Sequence, residues 1–355
     1  MSRATAKFAS LFGELQMSDS LKVGGVGLLL LGALAVVQPL AAQTRERGPW
    51  WPSVHGPRDQ AGASNYVTPD KILAALALPK TGRTYELGHP YEPSMPQYGS
   101  RPYFLSVLTR AATRAPGDPI VHTEYFTGFI GQMGTQFDAL AHQGRYVRMT
   151  DGSVEAVFYN GFTDTEMMGP TNGVGGVTAL GVEQMKPYIT RGVLIDIAGF
   201  KQVATLPAAY EVTMADVRGA LARQRLRETS IEQGDAVLFN YGWAVNWTNP
   251  SKYNDSFIGT GENQGSPGIG VEVANWLIER KVGLVGGDSC CVEVRGPVPK
   301  ESVHHLLFLG HGIPLLENLD LAELARDGAS EFLFLGLPER IKGATGSPIR
   351  PIAVQ

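Results

Sequence analysis

Short apolar runs rich in β-branched and aromatic residues alternate with helical segments along most of this chain, and that alternation confines it to the α/β class. The runs cover residues 103–108, 192–197, 236–240 and 283–286. Between them, Thr213 stands where an N-cap would open a helix over 213–222, and residues 267–279 read as a helix with Val271, Ala274 and Leu277 on its inner face. A shorter helix begins at Pro69. No composition break after residue 80 marks a linker, so residues 81–355 are expected to form one α/β domain with mixed strands.

Composition narrows the function classes. The chain has 355 residues, 43% apolar and 18% charged, with net charge -4, which suits a globular enzyme. Its Lys and Arg residues are scattered among acids and form no basic stripe, so no nucleic-acid partner is expected. The 43 Gly and 23 Pro call for many turns.

The N-terminus reads as an address. Lys22 precedes an apolar run over 23–37, followed by Gln38-Pro39-Leu40-Ala41-Ala42, the charged, apolar and small-residue regions of a secretory signal cleaved after Ala42. The run is shorter than the roughly 20 residues that cross a bilayer, so no stable membrane span is expected after processing. Met17 is an alternative start, and the residue directly after the cleavage point is Gln43 rather than Cys. Residues 1–42 are thus expected to be a signal peptide, 43–80 an N-terminal arm, and the mature protein periplasmic or secreted. The only two cysteines, Cys290 and Cys291, are adjacent and follow an apolar segment. Neighbouring cysteines rarely meet the geometry of a disulfide, so both read as small hydrophobic residues at a strand end.

The chemistry-bearing segment is Gln132-Met-Gly-Thr-Gln136-Phe-Asp138-Ala-Leu-Ala-His142. Gln132, Gln136, Asp138 and His142 fall at offsets of zero, four, six and ten. Even offsets share one face of an extended strand, whereas a helix would turn offset six away from offsets zero and four. Gly131 and Gly134 allow close approach to the backbone. A polar strand face turned to water would read the same way.

A second constellation decides between them. Ser302-Val-His304-His305-Leu-Leu is followed by Gly312-Ile-Pro-Leu-Leu-Glu317-Asn318. With the upstream Gly-Thr-x-x-Asp-x-x-x-His, this resembles the metal-dependent cyclase/arylformamidase (kynurenine formamidase-like) hydrolases. Residues 85–90, 191–196, 234–238, 267–268 and 346–353 agree in order, so the resemblance runs over roughly 80–355. It implies a swivelling β/β/α architecture of the putative cyclase type. That family has His where this chain has Gln132 and Gln136. The Gln-x-x-x-Gln-x-Asp-x-x-x-His pattern instead resembles the trans-dienelactone hydrolase branch.

Carried over by position, the resemblance implies a metal held by Gln132, Gln136, Asp138, His305 and Glu317, with His142 as the base or a ligand and Glu317 the next candidate for proton transfer. The twelve-residue offset to Glu317 favours His305 over His304. Zinc is the implied metal, but amide oxygens are poorer zinc donors than imidazole, which leaves manganese or magnesium open. The glutamines could equally hold a metal-bound water or the substrate carbonyl by hydrogen bonds.

The expected substrate is a small carbonyl compound, an aryl formamide like that of tryptophan catabolism or a lactone, and the expected assembly is a homo-oligomer. A polyketide-type cyclase or dehydratase, and an exported binding protein without catalysis, are the alternatives. The Gly-rich 172–176 stretch reads as an active-site loop, and His89 and His122 as hydrogen-bonded structural histidines.

Overall fold

The computed structural model describes residues 47–97, 101–111, 114–253, 264–296 and 302–355. The expected signal peptide lies outside them. Fifteen strands follow in chain order: β1 (Thr84–Glu86), β2 (Tyr103–Ala111), β3 (Ile120–Gly128), β4 (Gln136–Asp138), β5 (Arg145–Arg148), β6 (Val154–Val157), β7 (Tyr188–Asp196), β8 (Glu211–Val212), β9 (Ala236–Asn240), β10 (Gly268–Ile269), β11 (Leu284–Gly287), β12 (Leu315–Glu317), β13 (Glu331–Gly336), β14 (Gly346–Pro348) and β15 (Ile352–Val354). Nine of them form one mixed sheet in the order β1-β15-β13-β7-β9-β11-β12-β4-β14. β7, β9, β11 and β12 run parallel, and β12, β4 and β14 pair antiparallel.

The parallel strands are buried on both faces, which explains why they read as continuous apolar runs. β9 and β11 are buried at every position. Helices cover the crossovers. Met214–Arg223 opens with a capping box, the Thr213 hydroxyl accepting from Asp216 N while the Asp216 carboxylate accepts from Thr213 N. The expected helix over 267–279 begins later, at Val271, because Gly268–Ile269 pairs with Glu211–Val212. Its buried face is Val273, Ala274, Trp276 and Leu277. The run at 103–108 is a strand as read, yet β2 pairs only with β3, outside the main sheet, and exposes its apolar side chains. The resulting fold is a mixed α/β domain, and the described residues belong to one compact unit.

Within the arm, Thr68 caps the helix Pro69–Leu76. The arm lies on the domain: Ala63 N donates to Gly312 O at 2.7 Å, and Tyr159 Oη donates to Asp59 Oδ2 at 2.8 Å. Among the described residues no helix is long and apolar enough to cross a membrane. Cys290 and Cys291 are joined by a disulfide, contrary to the expectation of two free thiols, within the loop that follows β11.

One buried ion pair ties these layers together. Asp235 is fully buried before β9, and Arg191 of β7 meets it with Nε at 3.1 Å and Nη2 at 2.6 Å. Lys71 of the arm reaches the same carboxylate at 2.6 Å. Removing one partner of a buried pair leaves a desolvated charge. Arg191→Met should therefore lower unfolding stability by about 3 kcal/mol in urea titration, the lower part of the usual range because Lys71 remains.

Candidate metal centre

β4 and β12 carry the candidate site between them. Their antiparallel register sets Glu317 opposite Gln136 and Leu315 opposite Asp138. Alternation then turns Gln136, Asp138 and Glu317 to one face, while Phe137 and Leu316 go to the core, both fully buried. Gln136 Nε2 donates to Glu317 Oε2 at 2.9 Å and lies 3.3 Å from Asp138 Oδ1.

Gln132 and His142 arrive by a different route. The strand is only three residues long, so the even-offset argument covers Gln136 and Asp138 alone. Gln132 sits in a turn between Gly131 (φ 87°) and Gly134 (φ 64°). A Cβ at Gly131 would strike the Gly346 backbone, and one at Gly134 the ring of Tyr91. Both positions need glycine for conformation and for space. The turn aims Gln132 Nε2 at Asp138 Oδ1, 2.8 Å away. His142 lies in the turn after β4, its N–H bonded to Ala139 O, with Nε2 3.8 Å from Asp138 Oδ2. Both glutamines thus hold carboxylates through their N–H groups.

The histidine that meets Glu317 is His304, not the expected His305. His304 Nε2 lies 3.2 Å from Glu317 Oε1, and Nδ1 3.1 Å from Glu293 Oε1. Successive residues of a helix point about 100° apart, so Val303–His305 can turn only one imidazole inward. His304 is 2% exposed, whereas His305 is half-buried. The helix then widens into a π turn over Leu306–Gly310, a distortion frequent at functional sites.

Glu293 had no signal in the sequence. It is 3% exposed, accepts from His304 N at 3.1 Å and pairs with Arg295 Nη2 at 3.3 Å. Only the folding of the loop after β11 beneath the helix reveals it. The other readings fall away from the cluster. Trp243, Trp247, Phe137 and Tyr159 belong to the core. His122 bonds Thr109 Oγ1 at 3.0 Å, and His89 stacks on Trp247 with centroids 4.0 Å apart. The 172–176 stretch is a series of surface turns. A cavity of about 920 Å³ beside His89, Tyr91 and Ile349 is not lined by Asp138, His304 or Glu317.

The electrostatics show a site short of positive charge. Burial and the neighbouring Asp138 raise the Glu317 carboxyl despite the pull of His304. Burial would lower His304, but Glu293 and Glu317 overcome it and hold the imidazole protonated, up to about 10. Burial likewise lowers His142, with His304 and Arg101 adding to the effect against Asp138, so His142 is neutral near pH 7. Asp138 Oδ2 and Gln136 Oε1 are buried acceptors that meet no hydrogen-bond donor among the described residues. Unmet acceptors of this kind are costly. One ligand atom each from Asp138, His304 and Glu317 lie within 4.8 Å of one another. Three N/O donors within this reach suit a divalent cation, which would take the place of the proton on His304.

A family model described as putative cyclase matches residues 85–294. The chain belongs to this family. A solved structure described as a novel cyclase is 31% identical, covers 85% of this chain and 98% of its own, and superposes with a TM-score of 0.71. Isatin hydrolase A from Ralstonia solanacearum shares the fold at 22% identity over 81% of this chain and 98% of that one, TM-score 0.53. Isatin hydrolase A from Labrenzia aggregata does so at 19% identity, with 80% and 97% covered and TM-score 0.54. None of these three is described as a trans-dienelactone hydrolase, the branch to which the glutamine pattern pointed. No curated protein matches the chain.

The inward turn of His304 separates two adjacent histidines by experiment. His304→Ala should weaken binding of added zinc or manganese by at least about 100-fold in calorimetry, while His305→Ala should stay within about threefold of the parent. Equal losses would place both imidazoles on the metal.

Proposed function

We propose that this putative-cyclase-family member is a metal-dependent hydrolase of a small carbonyl compound, with a divalent cation held by Asp138, His304 and Glu317. The observation that carries the reading is the convergence of these three buried side chains around two acceptors, Asp138 Oδ2 and Gln136 Oε1, that meet no hydrogen-bond donor among the described residues. The fold it shares with isatin hydrolases supports a carbonyl substrate; an aryl formamide and a lactone are the two classes to test first. Zinc and manganese are the first metals to test.

A divalent cation bound there would supply Lewis-acid polarisation of the carbonyl and bring water toward ionisation near neutral pH. The chain supplies the rest. Glu293 pairs electrostatically with His304 at Nδ1, 3.1 Å away, and accepts from the His304 backbone N–H, leaving Nε2 for the site. Gln132 and Gln136 hold Asp138 and Glu317 in place by donating N–H to their oxygens. His142 is neutral and partly open to solvent, with 21% of its side chain exposed. It can accept a proton at Nε2 from attacking water and return it to the leaving nitrogen or oxygen. A neutral imidazole suits a base.

This assignment separates binding from chemistry. Asp138→Ala should abolish both metal content and turnover, whereas His142→Ala should keep most of its metal and lose roughly 100- to 10,000-fold in rate. Metal content by mass spectrometry and turnover of an aryl formamide, an aryl lactone and isatin would be measured on each folded variant. A His142→Ala protein emptied of metal makes His142 a ligand and moves the base to Glu317. Full activity in both variants rules out a hydrolase built on this site.

A further inference from the structure

Two arginines beside the candidate site belong neither to the ligand set nor to the proton transfer. Arg101 is half-buried just before β2, and its Nη1 donates to Gln132 O at 2.9 Å. Gln132 in turn holds Asp138 Oδ1 at 2.8 Å, so two successive hydrogen bonds link this guanidinium to a candidate ligand. Arg145 is exposed, three residues after His142 at the start of β5. Neither arginine has a carboxylate partner among the described residues, and the bond to Gln132 O is the only hydrogen bond Arg101 makes there.

Each guanidinium lies beside one of the more open histidines of the site. Burial lowers the His142 imidazole, with Arg101 adding to the effect, and burial lowers His305, with Arg145 adding to it. His142 is partly open and His305 half-buried, whereas His304 between the carboxylates is enclosed. The two arginines therefore stand on the side from which a substrate reaches the ligands. Phe129 and Ile130, just before Gly131 in the same turn, are 52% and 48% exposed and offer apolar surface to the body of such a molecule.

Charge selects what these cations bind. Behind them lie Asp138, Glu293 and Glu317, three buried carboxylates served by one imidazolium and Arg295. An approach bearing only that charge would repel an anion, and a neutral substrate needs no cation outside the metal. A guanidinium matches a planar carboxylate with two parallel hydrogen bonds. A phosphate dianion would meet about twice the repulsion from the buried carboxylates that a monoanion meets. We propose that the substrate carries a carboxylate in addition to the carbonyl that reacts, and that Arg101 and Arg145 bind it outside the metal centre. This assignment rests on the hydrolase reading and narrows it to anionic lactones or formamides with an apolar body.

Phthalide carboxylate and its methyl ester, which share one lactone and differ in charge, test it on the full chain loaded with zinc or manganese. The parent should favour the acid by at least about tenfold in kcat/KM, as one charge-assisted hydrogen bond provides. Arg145→Gln should cut that preference to about threefold or less, and Arg101→Gln/Arg145→Gln should abolish it, chiefly through KM. Because Arg101 also braces the Gln132 turn, the readout is the preference: equal slowing of acid and ester with the preference intact leaves Arg101 a brace and overturns the proposal. Benzoate titration followed by NMR reads recognition apart from catalysis. The parent should bind benzoate at least about tenfold more tightly than the double variant, and more tightly than inorganic phosphate. Arg145→Gln alone, at an exposed residue, serves if the double variant does not fold. If neither lactone is hydrolysed, the hydrolase reading fails while the benzoate titration still decides on the arginines. A parent without preference, a double variant that keeps it, benzoate binding equal in parent and variant, or tighter binding of phosphate would each overturn the proposal.

Discussion

The pairing of β4 with β12 in a single register is the constraint on which the chemistry of this protein depends. Glu317 lies opposite Gln136, and the same register sends Leu316 and Phe137 to the core. A slip of one residue would exchange the two sets, placing carboxylates among the apolar side chains of the core and a phenyl ring among the polar groups of the site. Burial of Phe137 and Leu316 holds the strands in place, each contributing roughly 1.5–3 kcal/mol. On the far side of β4, Gly346 faces Asp138 in β14. Its missing side chain leaves room for the Gln132 amide.

Within that frame, three carboxylates share one imidazolium. Asp138, Glu293 and Glu317 are all at most 4% exposed, and His304 contacts two of them. Burying carboxylates is costly unless hydrogen bonds or charges offset it. Two glutamine amides supply part of that offset, and Arg295 another part through Glu293. The opposed shifts follow from this shortage: Glu293, beside both His304 and Arg295, is held down near 2, whereas Glu317, beside Asp138, is raised. A cation completes the balance, so the electrostatics and the ligand geometry favour the same occupant.

Several stretches that carry the family resemblance are structural rather than chemical. Arg191 and Asp235 form the buried pair that fastens β7 to the arm and the start of β9. Gly192 is pressed beneath the Phe332 ring, and Gly234 takes φ 80° at the tight entry to β9. Thr135 donates to Asn318 O and accepts from His89 N, holding the back of the site strand. Such residues keep the sheet in register while the opposite face of the same strands presents the candidate ligands.

The sequence by itself determined the α/β class, the buried parallel strands and their capped helices, because local periodicity and capping chemistry are properties of consecutive residues. It also determined that Gln136, Asp138 and Glu317 belong together, through strand alternation and a family pattern. Tertiary structure decided what depends on approach between distant segments. It chose His304 over His305, since one helical turn admits one imidazole inward, and it brought Glu293 beneath that turn. It delivered Gln132 and His142 by turns rather than along a strand, because Gly131 and Gly134 bend the chain before β4. It also left the 103–111 strand projecting from the sheet that its apolar pattern alone suggests it should join. Apolar periodicity states that a face must be covered, whereas only the packed fold shows which faces the chain covers with its own residues.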